Sequence, residues 1–97
     1  MFIVISYDIP DDRRRTKVMK ALKDFGRHVQ YSVFECELKR EDYQRLRQRL
    51  KALVNPRQDN VRFYTLCEDD RRKRRVWGIE RGEAEVQAWY MIGDTDR

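Results

Sequence analysis

The sequence predicts a single α+β domain, an antiparallel sheet with two helices on one of its faces. Three observations carry that reading. Two stretches repeat apolar residues at helical spacing, and short runs rich in Val, Ile, Phe and Tyr flank them, in the order strand, helix, strand, strand, helix, strand. At 97 residues the chain can bury one core and no more. Charged residues and apolar residues each make up 40%, enough of the latter to fold and too many for a disordered chain.

Residues 2–7, FIVISY, are apolar on both alternations apart from Ser6. That pattern fits a central strand covered on both faces, and Pro10 ends it. In DDRRRTKVMKALKDFG, Asp11 or Asp12 can cap a helix whose stripe is Val18, Leu22 and Phe25 with Ala21 beside them, and Gly26 suits a left-handed C-terminal position. HVQYSVFECEL is extended in two halves, 28–31 and 33–38, meeting at Ser32 as a tight hairpin or a bulged bend. REDYQRLRQRLKALVNP gives a second helix with Tyr43, Leu46, Leu50 and Leu53 on its buried stripe. NVRFYTLCE is a strand, EDDRRKRR is expected to be a solvated loop, and VWGI, residues 76–79, a short additional strand.

This order is that of the ferredoxin-like βαββαβ arrangement, with the first strand in the centre and both helices on one face. The other face then needs a cover. A second copy packing face to face is the simplest one, with VWGI extending the partner's sheet, so a homodimer is expected. Residues 1–79 form the domain and 80–97 an acidic C-terminal extension, either a last strand folded back on the sheet or a tail that docks a protein partner through Trp89 and Tyr90.

The formal charge of +5 hides a division: residues 80–97 carry −3 and the rest +8. Sixteen of the 22 basic residues are arginine, whose planar fork suits phosphate. A nucleic-acid partner and the heavily charged, solvated surface of a thermophilic protein both account for that composition. Cys36 and Cys67 have no metal-ligand spacing and there is one histidine, which argues against zinc. The longest apolar run is far too short to span a bilayer. A cytoplasmic protein with reduced thiols and no membrane association is expected. There is no glycine-rich phosphate loop, nucleophile elbow or HExxH motif.

Asp8 closes the first strand, on the face shared by Phe2, Val4 and Ser6. It can serve the start of the following helix, hold an arginine, or bind a hard cation that meets phosphate. One chain supplies a single well-placed carboxylate, so the third reading needs a two-fold axis beside Asp8. Arg13, Arg14, Arg15 and Lys17 crowd the first turns of the helix, where cations oppose the helix dipole, and Arg27 continues the patch. Phosphate contact explains them better than solvation. Arg71 to Arg75 can equally grip a backbone or stay solvated. Tyr7 and Phe34 read as core or interface residues, with base stacking the lesser alternative, and His28 as a strand-edge residue.

YDIPDD followed by RRRTK, then FGRHVQYSVFE, resembles the small ferredoxin-fold CRISPR adaptation proteins, the family called the CRISPR-associated endoribonuclease, partner of the CRISPR integrase. The match is close over residues 2 to about 67. The resemblance implies a prokaryotic homodimer of antiviral defence with Asp8 of each chain near the two-fold axis, ligating Mg²⁺ or Mn²⁺ as the catalytic residue of a phosphodiester hydrolase acting on RNA or DNA. It equally implies a non-catalytic scaffold that binds double-stranded DNA between integrase dimers. The family's basic positions fall on Arg15 and Lys17 and its aromatic on Phe34. His28 departs from the arginine of some members.

Overall fold

The computed structural model describes residues 1–78. The chain runs β1 (Phe2–Asp8), α1 (Asp12–Lys23), β2 (Arg27–Gln30), β3 (Val33–Glu37), α2 (Arg40–Leu53), β4 (Asn60–Leu66) and α3 (Glu68–Arg72). The strands form one sheet in the order β2-β3-β1-β4, with every neighbouring pair antiparallel. This is the expected ferredoxin-like arrangement, with β1 inside the sheet.

Side chains alternate along β1 and so sort it into two faces. Ile3, Ile5 and Tyr7 point to the helices and are fully or almost fully buried. Phe34 and Cys36 of β3, Val18, Ala21 and Leu22 of α1, and Leu46 and Leu50 of α2 complete the core. Burying each of the larger aliphatic side chains contributes about 1.5–3 kcal/mol. Tyr43, Leu53, Phe25, Val61 and Phe63 pack around that centre half-buried, as their positions on the two helical stripes and on β4 predict.

α1 begins where the sequence indicates: Asp11 is the N-cap, and its carboxylate accepts the Arg14 backbone N–H at 2.9 Å. Its end differs. Gly26 does not adopt a positive φ; among the described residues only Gly78 does, at 100°. Gly26 is needed for close approach instead, because a Cβ there would lie 2.3 Å from Cys36 Sγ and 2.6 Å from the Glu35 carbonyl oxygen. The residues after Gly26 form a true hairpin that also carries a bulge. His28 faces Phe34 and Gln30 faces Val33, which leaves Val29 as the extra residue and Tyr31-Ser32 as the turn. The Ser32 carbonyl is bonded by the Tyr7 N–H at 3.0 Å, tying the turn to β1.

The charge run after β4 is not a solvated loop. Cys67 ends the strand and is exposed at the start of α3, with Glu68, Asp69 and Asp70 in the first turn and Arg71 and Arg72 in the last, the polarity a helix dipole favours. The chain then lies back over the outer face of the sheet. The Arg71 and Arg74 guanidiniums sit 4.4 and 5.3 Å from the centre of the Phe2 ring. Arg71 also pairs with Glu37, which holds the N-terminal amine at 3.1 Å, and Arg74 pairs with Glu35 at 2.8 Å. Val76, Trp77 and Gly78 form no strand within this chain, and Ile79 with the acidic extension lies outside the described residues.

Gly26→Ala tests the close approach. Added volume against backbone costs about 1–3 kcal/mol, more than the roughly 0.4–1 kcal/mol returned by restricting the unfolded chain. The variant is expected to melt several degrees below the wild type by circular dichroism; an unchanged or raised melting temperature would show that β3 yields.

Candidate functional site

The end of β1 places Asp8 on the outer face of the sheet, exposed, in register with Asn60 at the start of β4. Ser6, two residues earlier, faces Arg62. Because the pairing is antiparallel, all four side chains emerge on the same face. Arg62 Nε donates to Asn60 Oδ1 at 3.2 Å. The capping role open to Asp8 belongs to Asp11, and among the described residues no arginine, lysine or histidine forms an ion pair with Asp8. Asp8 is thus an exposed carboxylate with neither the cap nor an arginine to hold among the described residues.

The basic residues of α1 divide sharply. Arg14 is engaged by Asp59: its Nε and Nη2 donate to the two carboxylate oxygens at 2.8 and 3.1 Å, and Nη2 also donates to Gln58 Oε1 at 2.9 Å. The Asp59 side chain has no exposed surface, and it accepts the Asn55 N–H at 2.8 Å as well. The Arg14 hydrogen bond, followed by that of Asn55, holds the Asp59 carboxyl below the usual carboxylate range against the opposing effect of desolvation. Arg15 turns back over the strand-to-helix connection, donating to the Ile9 carbonyl at 2.9 Å and pairing with Asp12. Arg13 and Lys17 are exposed with no partner among the described residues.

Arg27 does not continue that patch. It follows the far end of the 12-residue α1, about 18 Å from the helix start, and its guanidinium lies 3.9 Å from Glu35. Tyr7 and Phe34 are 4% and 0% exposed, which leaves no ring face for a nucleobase. The Tyr7 hydroxyl donates to the Tyr31 carbonyl at 3.3 Å, and its burial raises the phenol pKa, with Arg15 opposing. His28 stacks on Phe34 with ring centres 4.5 Å apart and rings 3° from parallel, its Nε2 2.8 Å from the same Tyr31 carbonyl. These three rings hold the hairpin to β1 and carry no proton-transfer geometry toward Asp8.

Sequence reasoning did not find Asp59, Asn60 or Arg62. All three lie in NPRQDNVR, which reads as a loop and a strand start; the register of β4 on β1 sets Asn60 opposite Asp8 and Arg62 opposite Ser6, while Asp59 meets Arg14 of α1.

Residues 1–74 match the family model described as CRISPR associated protein Cas2. The chain belongs to that family. It is 47% identical over 79 residues to a CRISPR-associated endoribonuclease Cas2 of Chloroflexus aurantiacus, covering 81% of this chain and 85% of that one. With a Cas2 endoribonuclease of Thermus thermophilus it shares 50% over 66 residues, 68% of this chain and 70% of that one. Among solved structures, the crystal structure of Streptococcus pyogenes Cas2 superposes with a TM-score of 0.73 at 29% identity, covering 80% of this chain and all of that one. A hypothetical protein from Thermus thermophilus superposes at 0.75 with 37% identity, covering 84% and 96%.

Among the described residues no three His, Cys, Asp or Glu side chains are grouped to hold a metal ion. A hard cation, which takes about six oxygens, would need oxygens from outside this set of side chains. No helix among the described residues is long and apolar enough to cross a membrane.

The Asp59 clamp predicts an acid dependence. Because its folded pKa is depressed, the stabilisation is fully present above the unfolded Asp value of about 3.9 and is lost as pH falls through the lower folded value. In urea titrations the gap between wild type and Asp59→Asn is expected to be full at neutral pH and to close in acid. A gap that persists below the folded value would show that packing, not charge, holds the loop.

Proposed function

We propose that this Cas2-family chain works as a homodimer in CRISPR adaptation, a Mg²⁺-dependent (or Mn²⁺-dependent) endonuclease whose catalytic and metal-binding residue is Asp8. The supporting observation is that Asp8 stands exposed and without an ion-pair partner among the described residues, on an open sheet face beside a basic helix start. That face also exposes Tyr64 and carries half-buried Val4 and Leu66, so a second copy packed against it would cover apolar surface and bring in a second Asp8. The endoribonuclease names of the relatives support the phosphodiester as the bond attacked.

In this reading Asp8 contributes the negative charge that would hold the cation. Bound there, the cation supplies Lewis acidity, neutralising phosphate charge and lowering the pKa of an attacking water. Arg13 and Lys17 reach outward to hold the nucleic-acid backbone, while Arg14 and Arg15 keep the strand-to-helix connection in place for them. His28 is engaged by the hairpin, so the proton of the attacking water leaves to solvent.

The exposed cations favour a second reading in parallel, a scaffold that holds double-stranded DNA for an integrase partner, because such contacts are to backbone and carry no base preference. Asp8→Asn separates the two. The endonuclease reading expects metal-dependent cleavage of RNA or DNA to fall at least about 100-fold, with dimerisation by sedimentation and duplex affinity nearly unchanged. Wild type that cuts no better than the variant leaves the scaffold alone, and a monomer in solution removes the two-carboxylate site.

A further inference from the structure

We propose that Arg62, steered by Asn60, is the side chain that grips the phosphodiester at the Asp8 site. This rests on Asp8 being the reactive carboxylate, and it adds a substrate-contacting residue from a different strand. The register puts Asn60 directly across from Asp8 and Arg62 across from Ser6. Directly opposed Cβ atoms in an antiparallel pair are about 4.5–5.5 Å apart and diagonal ones about 7–8 Å. Asp8 and Arg62 are such a diagonal pair on one face, within reach of a single phosphate group.

What Arg62 does with its hydrogen bonds decides its role. Arg14, Arg15, Arg45, Arg49, Arg71, Arg72 and Arg74 are each paired with a carboxylate. Arg62 is not, although Asp8 lies one diagonal away. Its Nε is committed to the neutral Asn60 amide oxygen, which draws the guanidinium along β4 toward the Asp8 end of the strand. Both terminal nitrogens have no partner among the described residues, and the side chain is exposed. A guanidinium so placed keeps its full charge and presents the edge that forms two parallel bonds to phosphate oxygens. An acidic residue at position 60 would hold Arg62 more firmly and neutralise it. An amide orients it without neutralising it.

Asn60 is thus a positioning residue and Arg62 a phosphate-binding one, and the site takes any nucleic-acid backbone, since neither group is aimed at a base. Asp8 would hold the cation and Arg62 the phosphate, so that both would bring positive charge to the same phosphodiester.

The test measures binding of a labelled single-stranded RNA in EDTA across a range of KCl, then cleavage in Mg²⁺, for wild type and for Arg62→Gln, Arg62→Lys, Asn60→Ala and Arg57→Gln. The last removes an equal charge from an exposed loop and serves as the control. Arg62→Gln is expected to lower affinity several-fold, to reduce the slope of log K against log salt by about 0.7, and to slow cleavage about 10–100-fold. Arg62→Lys should recover the slope but not the cleavage rate. Asn60→Ala should leave the slope intact and lower kcat more than it raises KM. If Arg62→Gln matches Arg57→Gln in slope and cleavage while Asp8→Asn abolishes cutting, this assignment fails alone. If Asp8→Asn cuts like the wild type, the endonuclease reading fails, and the metal-free slope still decides whether Arg62 binds phosphate.

Discussion

The alternation of side chains along β1 is the constraint on which the rest depends. One face of seven residues carries Ile3, Ile5 and Tyr7 into the core, and the other carries Phe2, Val4, Ser6 and Asp8 out of it. A slip of one residue in its pairing with β3 or β4 would exchange the two sets. It would drive the Asp8 carboxylate under the helices at a desolvation cost. Core packing therefore fixes where the Asp8 carboxylate emerges, and α1 and α2, which bury the opposite face, leave it exposed.

Arginine does two separate kinds of work in this chain. Some residues are internal fasteners: Arg14 closes the loop before β4 onto α1 through buried Asp59, and Arg71 and Arg74 lay α3 and the chain after it across Phe2 by combining ring contact with carboxylate pairing. Isolated pairs contribute little net stability, so their effect is to orient elements more than to hold the domain together. Others, Arg13 and Arg62 with Lys17, reach solvent with charge uncompensated within the described residues. A net positive charge says nothing about which arginines belong to which group. Partners decide it, and Asp59 beside Arg14 against Asn60 beside Arg62 shows how one carboxylate or one amide changes the role.

Much was legible in advance because it is local. The helical stripes of α1 and α2, the Asp11 cap and the paired strand runs depend on residues within a few positions of one another, and YDIPDD with QYSVFE pointed to the family that residues 1–74 match. Where the reading went astray, a distant contact intervened. Gly26 reads as a helix-end glycine, yet the atoms that require it belong to Cys36 and Glu35 on β3. EDDRRKRR reads as a solvated loop, yet Phe2 of β1 and two glutamates of β3 give its arginines something to hold.

The sequence by itself determined the element order, the apolar faces that must meet and the carboxylate at the end of the first strand, since periodicity, caps and turn residues act over short range. Tertiary structure alone decided which arginines are spent and which stay free, and which residues of β4 stand opposite Asp8. Those outcomes depend on strand register and on side chains some 35 to 50 positions apart, distances over which no local pattern in the chain carries information.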